Sequence, residues 1–353
     1  MIHRKCIQDQ DSDDPPDRFL FFLLSRLFIV GIPIVRCDLF LRCAATHLHR
    51  RRTTLILPSM GGLLVDTEVP PYVQRVHVLT GYRPLLREDQ SLLIAALRSS
   101  FTLHNETFNI WSHLLGFVWL LSRLRALFML PTSEVADNAP EGMRLSVIVF
   151  TITAAFCLAA STIAHCFAGI VSRTPSDLLW RIDSYGIAVL IGGSWLPGLA
   201  FGFRCRQSAR MMYSIIVVGL LVIATIGSAL ASVGRPHETP IAERMRVGGL
   251  ACGVAFGLVP LAHFYMIAPD DEVAIFLPSV LYMLACYFIG FLFYSTGLPE
   301  SVRPGMFDLR GGSHLLWHVA VLAAIRHWDA GVWNMLLHKD SEVCQGWDME
   351  GLN

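Results

Sequence analysis

Between residues 108 and 337 the chain carries seven segments, each near the ~20 mostly apolar residues that a membrane-spanning helix requires. They lie near 108–131, 145–168, 178–202, 212–233, 247–268, 273–295 and 313–337. The connections hold the turn and charge signals, among them "SRTPSD", "FRCRQSAR", "APDDE" and "GLPESVRPGMFDLRGG". This pattern constrains the fold more than any other feature, because a chain in lipid must satisfy its backbone polar groups internally. It predicts an all-α, seven-transmembrane helix bundle. Composition agrees: 54% of residues are apolar, 16% are charged and mean hydropathy is +0.51. A soluble domain carries about 25% charged residues. Formal net charge is zero, which argues against nucleic acid as a partner. The nine cysteines are scattered and show no C-x-x-C spacing of a zinc or redox motif.

Four divisions are expected. Residues 1–70 form an N-terminal region with an apolar segment at 19–35, either an extra span, an interfacial helix or a signal-like stretch. Residues 71–107 form a lead-in, 108–337 the membrane domain and 338–353 a short tail. Basic residues precede the first span (Arg75, Arg83, Arg87, Arg98) and follow the second (Arg173), fourth (Arg235, Arg244, Arg246) and sixth (Arg303, Arg310). The positive-inside rule then places the N-terminus in the cytosol and the C-terminus outside. One connection, holding Arg204, Arg206 and Arg210, votes the other way.

His314 and His318 sit four residues apart at the head of the seventh segment, so they share one helix face. No acid lies between them, which excludes the H-E-x-x-H metalloprotease motif. Alone, the pair reads equally as helix-end imidazoles facing headgroups. The topology adds His165, in the last turn of span two, at the same membrane level. It also adds Asp183, about one turn inside span three. Intramembrane ionisable groups are functional hypotheses by default. Three neutral imidazoles suit Zn²⁺, leaving a fourth position open for water. His165, His314 and His318 are the expected ligands. Asp183 is the expected proton acceptor, and Ser161, one turn before His165, a hydrogen-bonding group for water or substrate.

The motifs "LTGYRP" (79–84), "LHNETFNIWSHLLGF" (103–117), "STIAH" (161–165), "RIDSYGIAVLIGGS" (181–194), "FYSTGLPE" (293–300), "PGMFD" (304–308) and "SHLLWHVAVLAA" (313–324) resemble the progestin and adipoQ receptor family, nearest its adiponectin-receptor branch. The resemblance runs over about residues 70–337. It implies seven helices with a cytosolic N-terminus. It also implies a zinc ion held by His165, His314 and His318, with Asp183 and Ser161 beside it. Family members of this branch are receptors with a ceramidase-like amide hydrolase activity. Three departures stand out: Ser184 and Tyr185 in reversed order, Leu315 where glutamine is usual, and Arg326 and Asp329 deep in span seven. Spaced three apart, the last two are expected to pair with each other.

His104, Asn105 and Glu106 precede the first span. They suit either a lining of the metal entrance or, as favoured here, capping of the helix. His113 is expected to be a satisfied core histidine.

Three functions follow as expectations. The first is a receptor with an intramembrane zinc site that hydrolyses ceramide-type lipid amides. The second is a non-enzymatic receptor or scaffold with a structural zinc, taking an extracellular protein ligand and a cytosolic adaptor. The third is a steroid (progestin)-responsive membrane receptor. The location expected is the plasma membrane or an endomembrane of the Golgi or endoplasmic reticulum.

Overall fold

The computed structural model describes residues 62–87, 89–131, 142–231 and 240–338, with backbone only at 224, 227–231 and 240–247. The apolar segment 19–35 and the tail beyond 338 lie outside the described residues. Among the described residues the regular structure is helical, apart from an isolated bridge between Leu64 and Tyr82. A short helix, α1 (Leu92–Ser100), precedes the long rods α2 (Thr107–Met129), α3 (Met143–Phe167), α4 (Arg173–Gly202) and α5 (Gln207–Ala231). There follow α6 (Pro240–Phe256) and α7 (Leu258–Ile267), then α8 (Asp270–Thr296) and α9 (Ser313–Leu337). The predicted fifth span is thus two helices meeting at Gly257, over which the apolar stretch Gly248–Ile267 runs.

By length and composition, α3, α4, α8 and the stretch Gly248–Ile267 are apolar enough to cross a membrane. The rods α2 and α9 are as long but less apolar. Arg123 and Arg125 interrupt the first; His314, His318, Arg326, His327 and Asp329 interrupt the second. Five of these polar residues, His314, His318, Arg123, Arg326 and Asp329, build the two polar clusters described below.

Packing is tightest between α3 and α4, between α8 and α9, and between α2 and α3, while α9 also touches α2, α3 and α4. Small residues permit close approach, as expected where apolar lipid gives helices little hydrophobic reason to associate. At Gly186 an added Cβ would lie 3.1 Å from Cα of Cys157, so α4 rests on the α3 backbone there. This contact sets the register of α4 against His165. Helix α4 begins at Arg173, five residues earlier than expected, so Asp183 stands nearly three turns inside its helix rather than one.

The loops at the histidine end are tied down by buried carboxylates. Asp308 Oδ2 accepts from the Leu79 amide (2.9 Å), the Thr80 amide (2.7 Å) and the Thr80 hydroxyl (2.9 Å). Glu300 accepts from the Ser313 amide at 2.7 Å and from the Ser313 hydroxyl. It thereby satisfies a free donor at the start of α9. Gly81 has φ +85°, and a Cβ there would collide with the Leu309 side chain. Tyr82 is buried; its hydroxyl accepts from the Arg75 amide and donates to Val78 O, both at 2.9 Å. Burial pushes that hydroxyl's pKa up to about 12. These residues belong to the "LTGYRP", "GLPE" and "PGMFD" motifs, and their visible work is to fix the chain that enters α2 and α9.

At the opposite end, Arg204 meets Glu272 through two contacts of 2.6 and 2.7 Å, both groups almost wholly buried. Part of the basic charge that seemed to contradict the orientation rule is therefore neutralised inside the protein.

Candidate metal centre

His165 closes α3, and His314 and His318 open α9, so the antiparallel course of the two helices brings the rings to one level. The ligand-type nitrogens of the three residues lie within 4.8 Å of one another. The Nε2 atoms of His165 and His314 are 3.2 Å apart. His165 and His318 are 1% and 2% exposed and His314 is half-buried, so this is an interior cluster with one face open. Tetrahedral zinc with bonds of 2.0–2.1 Å would hold nitrogens about 3.3–3.4 Å apart. One pair already meets that spacing.

The surrounding hydrogen bonds fix which nitrogen carries the proton. His165 Nδ1 lies 2.7 Å from Glu106 Oε2. A carboxylate only accepts, so His165 donates through Nδ1 and its Nε2 carries a bare lone pair. His318 Nδ1 lies 3.2 Å from the Ser112 hydroxyl. That hydroxyl already donates to Asn109 O at 3.0 Å, so it accepts from His318. Two bare lone pairs thus converge from different helices, each imidazole held by a partner on its other nitrogen. Metal-ligating histidines carry this outer arrangement almost without exception. The donor set fits a divalent cation.

Glu106 is the centre of the supporting network. Its Oε1 receives Arg75 Nε at 2.7 Å and a second guanidinium nitrogen at 2.6 Å, while Asn109 donates to Oε2 at 2.8 Å. Burial opposes its charge, but Arg75 and His165 together hold the carboxyl well below its ordinary pKa. Arg75 also lies 5.1 Å over the Trp180 ring, whose edge meets His165 at 5.0 Å. Arg83 donates to the carbonyls of His165 (2.7 Å) and Cys166 (2.9 Å) and to the Ser99 hydroxyl (2.9 Å). It caps the last turn of α3, where a cation also complements the helix dipole.

Glu106, and not Asn105, occupies the N-cap position of α2, without a capping side-chain bond. Its side chain serves His165 instead. His104 accepts the Glu106 amide on Nδ1 (3.0 Å) and faces Ser99 O with Nε2 (3.1 Å), a neutral structural ring. Burial, then the nearby Arg83, lowers its pKa to about 4. His113 is buried as expected but is not satisfied. Its ring stacks on His318 at 3.7 Å and 10°, and neither nitrogen has a hydrogen-bond partner among the described residues.

Ser161 is buried on α3, one turn before His165. Asp183 is half-buried on α4. The helix register, with Gly186 against Cys157 and Trp180 against His165, sets Asp183 level with Ser161, one turn deeper than His165. Leu315, Ser184 and Tyr185 are also half-buried. The resolved cluster is the three histidines, and Asp183 stands outside it.

Fold and site together define a helical integral membrane protein with a buried three-histidine cluster able to hold a metal ion. The haemolysin-III-related family model matches residues 101–328. Heptahelical transmembrane protein 1 of Arabidopsis thaliana is 31% identical over 279 residues, 76% of this chain and 80% of its own length. Progestin and adipoQ receptor family member 3 of mouse is 27% identical over 273 residues, 76% and 84% of the two chains. The adiponectin receptor protein of Drosophila melanogaster is 30% identical over 246 residues, 69% of this chain and 52% of its own. An uncharacterized fission-yeast protein is 28% identical over 256 residues; the chain spans about half of that relative, 55%. The chain belongs to the haemolysin-III-related family, which includes the progestin and adipoQ receptors.

Proposed function

We propose that the protein is an adiponectin-receptor-like heptahelical membrane protein whose His165, His314 and His318 hold Zn²⁺, and that it hydrolyses an amide of a membrane lipid such as ceramide. The convergence of bare imidazole nitrogens at one buried point carries this proposal. The seven spans occupy 108–337, after a lead-in over 71–107. The N-terminus, with the region 1–70, is cytosolic and the tail 338–353 is outside, at the plasma membrane or an endomembrane. The distribution of arginine around the spans supports that orientation.

Zinc at such a site supplies Lewis-acid polarisation of a carbonyl and a lowered pKa for water. The protein supplies the rest. Glu106 and Ser112 orient the imidazoles. Asp183 takes a proton from water and passes it to the leaving amine as general base and then general acid. Ser161, level with it, donates to a polar group of the substrate. The apolar helices on either side admit a lipid chain and exclude bulk water.

A second function is favoured by the same network: the cluster pins α3 to α9, and through Glu106 and Arg75 to the lead-in. The zinc is then structural, and signalling starts from an extracellular protein or a steroid, with a cytosolic adaptor downstream. The names of the Drosophila and mouse relatives support ligands of these kinds.

Asp183→Asn in the purified protein, beside a His165/His314/His318→Ala triple variant, separates these functions. Hydrolysis predicts loss of ceramide turnover in both, with about one zinc per chain kept in the first and lost in the second. Wild-type protein that holds zinc yet never releases fatty acid across several lipids and pH values refutes the hydrolase.

A further inference from the structure

Arg326 and Asp329, expected from their spacing to pair with each other, form no ion pair between them among the described residues. Asp329 is fully buried, and its Oδ2 meets Arg123 Nε of α2 at 2.8 Å. The Arg123 guanidinium lies 4.0 Å over the Trp333 ring, while that of Arg326 lies 5.9 Å from the centre of Trp119. Arg326 is exposed and has no ion-pair partner among the described residues. Together with Ala330 and Asn334, these side chains line a cavity of about 250 Å³. It lies on the seam between α2 and α9, in the half of the bundle away from the histidines.

The geometry points to a binding site for the headgroup of an anionic, hydroxyl-bearing phospholipid. Three observations carry the assignment. The first is charge: two guanidiniums against one carboxylate leave one positive charge inside a span, which is costly unless a partner arrives. One monoanionic phosphodiester cancels it, and guanidinium is the side chain best matched to phosphate. The second is a set of buried polar atoms left without a well-formed hydrogen bond among the described residues: the Asp329 carboxylate, Arg123 Nε and Trp333 Nε1. A headgroup hydroxyl offers the carboxylate a donor, and phosphate oxygens offer the two N–H groups acceptors. The third is position. From Arg326 to Asn334 the lining runs about 12 Å along α9 and stops about one turn short of Leu337. The cavity therefore reaches the level where headgroups and tryptophans meet in a bilayer. Val319 on α9 and Leu115 on α2 are exposed and continue the two helix faces inward, offering apolar surface to an acyl chain.

A zwitterionic choline lipid brings no net charge and no hydroxyl donor, so the site should discriminate against it. The test uses the full-length protein in nanodiscs or detergent, with retained lipid counted by native mass spectrometry. Phosphatidylglycerol should be retained at least tenfold over phosphatidylcholine. Arg326→Gln, at an exposed and unpaired position, should remove most of that preference while leaving zinc content unchanged. Equal retention of the two lipids by the wild type overturns the assignment, and needs no variant. So does an unaltered preference in the variant. If millimolar inorganic phosphate displaces the lipid fully, the ligand is a soluble anion and the lipid assignment fails. Zinc content is read separately, so failure here leaves the histidine site untouched.

Discussion

Glu106 is the residue whose removal says most about the metal centre. Glu106→Gln keeps the volume but replaces a carboxylate that receives two Arg75 nitrogens, the Asn109 amide and His165 Nδ1. Loss of such an outer partner commonly weakens metal binding 10–100-fold, or about 1.4–2.7 kcal/mol. Breaking a buried ion pair costs about 3–5 kcal/mol of stability. The Arg75 side chain is 26% exposed and regains water, so the lower end or below applies here. The variant should therefore lose zinc affinity about 10–100-fold in a chelator-competition titration, alongside a loss of thermal stability of similar size in the zinc-free state. The pH response has a definite sign. Because the folded carboxyl is held below its ordinary value, its contribution is complete above about pH 4.5 and disappears only as pH falls through the lowered value. The variant should thus differ from wild type by a constant amount between pH 6 and 8. Zinc affinity within twofold of wild type would refute the claim that Glu106 orients His165. A difference that grew steadily from pH 6 to 8 would refute the assignment of its charge.

His104, whose pKa is lowered to about 4 from an ordinary 6.5, stays neutral in the folded protein while the unfolded chain binds a proton. Stability should accordingly fall by about 2–4 kcal/mol as pH drops from 6.5 toward 4. His104→Gln should flatten that part of the curve relative to wild type in thermal melts. Arg204→Met alone should destabilise by about 3–5 kcal/mol by stranding Glu272, whereas Arg204→Met with Glu272→Leu should recover most of the loss. A double variant no better than the single one would show that the pair is not the dominant interaction there.

The long helical stretches and the four-residue spacing of His314 and His318 were legible in the sequence, because helix periodicity acts on local residues alone. The closeness of His165 was legible at the level of membrane depth, once alternating spans were counted. What sequence could not supply was anything set by rotation and register between helices. Asp183 lies nearly three turns into α4 because that helix starts five residues early, and Gly186 fixes its height against Cys157. Glu106 looked like a helix-start residue; only folding brings it to His165, 59 positions away. Arg326 and Asp329 share a helix and suggested a local pair, yet Arg123 on α2 offered the buried carboxylate a nearer charge. Sequence marked which segments are long and apolar and which residues could bind a metal. Tertiary packing decided which partners they meet, because it alone sets how each rod is turned and how far it slides.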